Sequence, residues 1–229
     1  MQDAMTSSIN ALILIPAFNE ELNIQTVVES ALSYYPVLVI DDGSIDRTAD
    51  LAKSVGALVI HQQPNQGKGV ALRLGFHHAL DGDYETILTL DADGQHDPAE
   101  IPQFIECYTT HHPDLIIGQR DFNKMPIIRR LANTIGGLSL SWALGQQIHD
   151  NQSGYRLISR RLLDLLVTSE ESGFEFEVEM IVTCLRSNFH LEWVPIRTIY
   201  AKERSHIVPY RHVLGFYRMV WQARKQMQR

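Results

Sequence analysis

The 229-residue sequence is poor in cysteine: Cys107 and Cys184 lie far apart and without metal-ligand spacing. That excludes a disulfide framework and a structural zinc site, and makes a reduced, cytoplasmic protein the simplest expectation. No apolar run approaches the ~20 residues that a membrane-spanning helix needs. The first ten residues, Met1 to Asn10, are polar and lack the apolar centre of a secretory signal, so they are expected to form a flexible N-terminus. Aromatic residues make up only 8% of the chain. They are too sparse, and the first half is too acidic, for a nucleic-acid surface. G-x-x-x-x-G-K-[ST] does not occur, which excludes a P-loop. Internal repeats and low-complexity segments are missing as well.

Basic residues are scarce in one half only. Residues 1–119 hold 4 Lys and Arg against 17 Asp and Glu, a balance of −13, whereas residues 120–229 hold 16 against 10, a balance of +6. The overall charge of −7 hides this split. An acidic half suits carboxylates that hold a cation, and a basic half suits phosphates or a membrane surface. Solvated faces would give the same count.

Short apolar runs alternate with helical patterns through the first half. Ala11–Ile15, Val37–Ile40, Ala57–Ile60, Thr86–Leu90 and Asp114–Ile117 read as strands. Between them, Glu20–Ser33 carries apolar residues near 3.6 spacing, Asp46 caps a helix that runs to Val55, and Gly69–Leu80 and Pro98–Thr109 read as helices. This alternation predicts a parallel sheet covered by helices on both faces. In the second half, Ile127–Leu144, Arg160–Val167, Phe176–Ser187 and His212–Arg229 read as helices, with strands at Tyr155–Ile158 and Leu191–Ile199.

Ligands of parallel α/β sheets sit at the carboxyl ends of strands. Three polar clusters fall there: Pro16-Ala17-Phe18-Asn19-Glu20, Asp41-Asp42-Gly43-Ser44 and Asp91-Ala92-Asp93-Gly94-Gln95-His96. In extended backbone, residues i and i+2 point the same way, so Asp91 and Asp93 would repel unless a cation lay beside them. A hard ion such as Mg²⁺ or Mn²⁺ suits such oxygens and keeps positions open for phosphates. A capping Asp next to a solvated one is the plainer alternative. In Asn65-Gln66-Gly67-Lys68-Gly69, the glycines permit close backbone approach and Lys68 supplies a point charge; a flexible connection would look the same.

In this order, the clusters resemble family 2 glycosyltransferases of the GT-A fold, and most closely their polyprenyl-phosphate branch. That branch includes dolichyl-phosphate mannosyltransferase and dolichyl- or undecaprenyl-phosphate glucosyltransferases. The resemblance continues through Ile117-Gly118-Gln119-Arg120, Asp150-x-x-Ser153-Gly154-Tyr155-Arg156, Gly173-Phe174-Glu175-Phe176-Glu177-x-Glu179 and Glu203-Arg204-Ser205-His206. It implies an α/β fold, a Rossmann-like three-layer α/β/α sandwich with a mostly parallel central sheet. Residues 11–211 would form a single catalytic domain, with a nucleotide-binding half at 11–119 and an acceptor-binding half at 120–211. Residues 212–229 would add an amphipathic helix.

Carried over by residue, the resemblance implies that Pro16, Ala17, Asn19, Glu20 and Asp42 line a nucleotide pocket, with Lys68 and Ala92 nearby. Asp91, Asp93 and Gln95 would hold Mg²⁺ or Mn²⁺, and Asp93 would serve catalysis directly. Arg120 and Arg130 would face an acceptor phosphate or the pyrophosphate. Arg204, with Lys202 and His206 as alternatives, would clamp the diphosphate. The implied reaction is an inverting transfer from a UDP- or GDP-linked sugar to a polyprenyl phosphate. A phosphate monoester is largely dianionic at neutral pH and needs orientation rather than a strong base. A hydroxyl acceptor, on a sugar or a lipid, would need one. Asp150 is the candidate base, with an Asx turn as its structural alternative.

Several relatives append transmembrane helices, and this chain shows none. From Trp193 onward it holds 8 Lys and Arg against a single Glu, and the last helix adds an apolar face. That suits peripheral association with the inner face of a membrane, or packing on the core or on a second subunit. A dehalogenase-type phosphatase fits less well: its Asp-x-Asp motif stands on the first strand, with Thr next. A non-catalytic nucleotide-binding partner would not be expected to keep Asp42, Asp91, Asp93 and Arg120 together.

Overall fold

A computed structural model describes residues 9–122, 127–168, 175–197 and 210–227. In chain order the elements are β1 (Ala11–Ala17), α1 (Ile24–Leu32), β2 (Val37–Asp41), α2 (Thr48–Ser54), β3 (Leu58–His61), α3 (Lys68–Asp81), β4 (Thr86–Thr89), α4 (Ile101–His111), β5 (Leu115–Arg120), α5 (Ile127–Leu144), β6 (Arg156–Ser159), α6 (Arg160–Leu166), α7 (Glu175–Arg186), β7 (Leu191–Ile196) and α8 (Tyr210–Met227). A short 3₁₀ turn over Pro98–Glu100 leads into α4.

The strands form one sheet in the order β3-β2-β1-β4-β6-β5-β7. Alternate side chains of its central strands face opposite sides, and two separate cores result. Leu12 and Leu14 of β1 pack with α3, α5, α6, α7 and α8 on one face. Ile13, Ile15 and Ala17 pack with α1, α2 and α4 on the other. This is the three-layer α/β/α sandwich, with its nearly all-apolar buried strands at the centre.

The sheet is mostly parallel, with one exception that the alternation of elements did not reveal. β6 runs antiparallel to both of its neighbours, β4 and β5. Helix α5 and residues 145–155 lead from β5 into it, and the chain re-enters the sheet in the reverse direction. Two boundaries also move. Helix α1 begins at Ile24 rather than Glu20, because Glu20 to Asn23 form a turn that delivers Glu20 N–H to Thr48 Oγ1 at 2.8 Å. Strand β4 stops at Thr89, so Asp91-Ala92-Asp93 passes through a turn and not through extended backbone. Helix α8 packs on α5 and α7 and buries Val220 and Ala223 in the core, so part of its apolar face is already covered.

Candidate active site

The carboxyl ends of β1, β2 and β4 lie side by side, and their loops are tied to one another. Asn19, in the left-handed conformation with φ 56°, donates its backbone N–H to Ser44 Oγ and accepts from Ile45 N–H through Oδ1, each at 2.9 Å. Asp42 is buried. Its Oδ1 accepts from Gln62 Nε2 at 2.6 Å and Gln66 N–H at 2.9 Å, and its Oδ2 accepts from Gly67 N–H at 2.8 Å. Asn19 and Asp42, expected in a nucleotide pocket, therefore tie the loops after β1, β2 and β3 to one another. Asp42 fixes the loop that places Gly67, at φ 94°, immediately before α3. Glu20 Oε2 accepts from Asn23 Nδ2 at 3.3 Å within the turn before α1.

Lys68, the first residue of α3, reaches across the edge of the sheet. Its Nζ lies 2.6 Å from Asp91 Oδ1 and 2.9 Å from Glu177 Oε1 of α7. Burial alone would pull the Lys68 ammonium down, but Asp91 and Glu177 outweigh it and hold it above ordinary lysine. Burial likewise works to raise the Asp91 carboxyl, and Lys68, His96 and Arg120 overcome it, bringing Asp91 down to about 2. Gly154 backs the same carboxylate: a Cβ there would lie 2.5 Å from Asp91 Oδ2, so only glycine admits Asp91 at this spot. Pro16, Lys68, Thr89, Asp91, Arg156 and Glu177 line one small pocket.

Asp93 stands two residues on. Its Oδ1 accepts from Gln95 N–H at 2.9 Å, while the methyl of Ala92 is turned into the core, which leaves only the Ala92 backbone for a ligand. Asp91 and Asp93 are both partly exposed. Among the described residues no three His, Cys, Asp or Glu side chains converge on one point. Two hard carboxylates without a closed cage suit a cation shared with the phosphates of a ligand better than a stand-alone site.

The second half contributes an ion pair. Arg120, at the end of β5, grips Asp150 in a fork, with Nε 2.6 Å from Oδ2 and Nη2 2.9 Å from Oδ1. Asp150 Oδ1 also accepts from Gln152 N–H at 3.1 Å, so the Asx turn weighed as its structural alternative is present. Both oxygens of buried Asp150 are thus engaged in hydrogen bonds. Arg130 is on an exposed face of α5. Arg204, Lys202 and His206 lie outside the described residues.

Three contributors, Arg156, Glu177 and His96, stand within the quoted motifs but carry no assigned role at the level of sequence. Arg156 is the largest fully buried side chain among the described residues; it donates to the carbonyls of Ser153, Glu177 and Asn151 at 2.8, 2.5 and 3.2 Å. Burial lowers its guanidinium to about 10, against the pull of Glu177, Asp150 and Asp91, so it stays charged at neutral pH. Glu177 Oε2 is buried and has no hydrogen-bond partner among the described residues. His96, also buried, is pushed down to about 4, chiefly by burial, and is neutral at pH 7. The available signal was a charged residue inside an apolar strand or helix, Arg156 in β6 and Glu177 in α7, since such charges are buried only when paired.

This arrangement, a three-layer sandwich with acidic strand ends facing the half-buried Arg120 and the buried Arg156, is that of a GT-A-type transferase, and the sequence matches Glycosyl transferase family 2 over residues 12–166. The chain belongs to that family and is a glycosyltransferase. It is 32% identical over 201 residues to an undecaprenyl-phosphate mannosyltransferase of Micrococcus luteus, covering 81% of this chain and 82% of that one. It is 29% identical over 219 residues to a UDP-N-acetylglucosamine–dolichyl-phosphate N-acetylglucosaminyltransferase of Methanococcus voltae, covering 83% and 86%. Among solved structures, glucosyl-3-phosphoglycerate synthase from Mycobacterium tuberculosis, in complex with Mn²⁺, UDP and glucosyl-3-phosphoglycerate, superposes with a TM-score of 0.70 at 19% identity, over 95% of this chain and 79% of that one.

Proposed function

We propose that the enzyme transfers a sugar, with inversion, from a nucleotide-diphosphate donor, UDP- or GDP-linked, to a polyprenyl phosphate. The observation that carries this reading is the Arg120–Asp150 fork. A hydroxyl acceptor must lose its proton to a base as it attacks. Asp150, the candidate base, has both oxygens committed to Arg120. A phosphate acceptor arrives already ionised and needs a guanidinium to orient it. The names of the two relatives, both transferases to polyprenyl phosphates, support the same acceptor class.

In this reaction an acceptor phosphate oxygen forms a bond to the anomeric carbon as the bond from that carbon to the diphosphate oxygen breaks. Arg120 aligns the attacking phosphate, and Asp150 holds Arg120 in plane. Asp91 and Asp93, with Gln95 beside them, would hold Mg²⁺ or Mn²⁺, which would neutralise charge on the departing diphosphate. Lys68 supplies a second positive charge at the same end. Glu177 and the buried Arg156 keep Lys68 in place between the two halves of the sheet. Pro16 and the loops bound by Asn19 and Asp42 form the side where the nucleotide enters. No helix among the described residues is long and apolar enough to cross a membrane, so the lipid acceptor would be met at the bilayer surface.

The test is paired acceptors. With the preferred sugar nucleotide and Mn²⁺, release of nucleoside diphosphate should require a polyprenyl phosphate and fail with the matching polyprenol. Arg120→Lys and Asp150→Asn should each raise KM for the phosphate and lower kcat. Turnover on the polyprenol that Asp150→Asn abolishes would assign the base role to Asp150 and overturn the phosphate acceptor.

A further inference from the structure

Helix α5 is apolar on two opposite sides. One side, with Leu140, Ala143 and Leu144, is buried in the core. On the other, Ile127, Leu131, Ile135, Leu138 and Trp142 stand 45% to 84% exposed. Their spacings of four, four, three and four residues confine them to an arc of about 80° on a helix of 3.6 residues per turn, along a length of about 22 Å. The stripe does not end with α5. Trp142 meets Trp221 of α8 edge to face, with ring centroids 6.2 Å apart, and Trp221 is itself 59% exposed. The Arg224 guanidinium lies over the Trp142 ring, 3.9 Å from its centroid. A water-facing helix normally carries polar residues opposite its core side, and an unbroken apolar stripe is the mark of a surface that meets something.

The charge beside the stripe identifies its partner. In sequence, α5 and α8 contain neither Asp nor Glu, and among the described side chains Arg130 and Lys225 are exposed while half-buried Arg224 lies over Trp142. Pairing this face with a second copy of itself would oppose like charges across the interface. An anionic bilayer compensates them, accepts the Ile and Leu side chains, and places tryptophan at headgroup depth.

We infer that the α5 stripe, extended by Trp221 of α8, is the face that lies on an anionic lipid bilayer. The strongly amphipathic α8 is the obvious candidate for docking by sequence, yet it spends Val220 and Ala223 on the core and adds only its exposed tryptophan edge. Because α5 joins the loop after Arg120 to the loop that carries Asp150, contact through α5 would bring that ion pair next to the lipid headgroups. The docking face extends the reading of a lipid acceptor, and its test separates the two.

Full-length protein is mixed with vesicles of phosphatidylcholine alone or with added phosphatidylglycerol. Binding should require the anionic lipid, weaken as salt rises, and be accompanied by a blue shift of tryptophan emission and by quenching from brominated lipid. Leu131→Ser with Leu138→Ser should weaken vesicle binding by about tenfold or more, while Leu165→Ser, at an exposed leucine of α6 outside the stripe, should leave it unchanged. Transfer to a short, water-soluble isoprenyl phosphate should be equal in the double variant and the parent, so loss of docking is read apart from loss of chemistry. Vesicle binding unaffected by the double substitution would overturn the inference, as would a vesicle-indifferent dimer in sedimentation that the same substitution dissociates.

Discussion

Lys68→Met keeps the length of the side chain and removes the ammonium that joins Asp91 to Glu177. The side chains of Lys68 and Asp91 are 27% and 26% exposed, whereas Glu177 is 4% exposed. Breaking a fully buried ion pair costs about 3–5 kcal/mol, and an exposed one about 0–1. A site one-quarter open on two of its three members lies between, at roughly 2 kcal/mol. For a chain of this size that is a fall in Tm of roughly 4–8 °C. The variant also leaves Asp91 and Glu177 facing each other without the ammonium between them. Mn²⁺ should then bind more tightly than to the parent and restore part of the loss, since a ligand at about 100 times its Kd adds about 2.7 kcal/mol. The assay is thermal unfolding of parent and variant in chelator and across a Mn²⁺ series. A variant within about 1 °C of the parent in chelator, with the same response to Mn²⁺, would refute the electrostatic account of Lys68.

Gly154→Ala would drive a methyl group to 2.5 Å from Asp91 Oδ2; we expect roughly 1–3 kcal/mol of destabilisation and a sharp drop in turnover, measured by unfolding and donor-release assays. Asp114 serves a different purpose, away from the site, where it accepts from Ser159 Oγ at 3.0 Å and His190 N–H at 3.0 Å and pairs with Arg161. Burial works to raise its carboxyl, but these donors outweigh burial and hold it below the ordinary value. Its contribution is therefore complete above the unfolded carboxylate pKa of about 4 and is lost as pH falls below it. Asp114→Asn should lower Tm at pH 7 and flatten the acid limb of the stability curve below about pH 4; an unchanged acid limb would remove Asp114 from that role.

The elements were legible because their signals are local. Strands of continuous Val, Ile and Leu, and helices with apolar residues at 3.6 spacing, state their own period, and two cores follow from alternation along β1. What escaped depends on contacts distant in sequence. β6 reads as a short apolar strand in either direction, and its antiparallel course is set by its partners in β4 and β5. A strand reaching Leu90 predicts extended backbone at Asp91-Ala92-Asp93, whereas β4 ends at Thr89 and a turn over Ala92 and Asp93 changes where each carboxylate looks. The motif singles out Asp150, yet its contact with Arg120 is visible only once β5 brings that arginine to it from thirty positions away.

That reversed strand also alters the meaning of the charge split. A chain of −13 followed by +6 invites a picture of two halves that meet across a cleft. In the fold, β6 enters between β4 and β5 and carries second-half groups directly against the first-half carboxylates. Gly154 abuts Asp91, and Arg156 lies buried among Glu177, Asp150 and Asp91. Lys68, one of only four basic residues in the acidic half, crosses the other way to Glu177. Three basic groups, Lys68, Arg120 and Arg156, are thus set among three acids, Asp91, Asp150 and Glu177. A locally balanced site of this kind can admit a cation and a diphosphate together at lower electrostatic penalty than either alone, because each arrival offsets the charge of the other. Interleaving at β6, rather than the attraction of two oppositely charged halves, is what makes that balance possible at the proposed site.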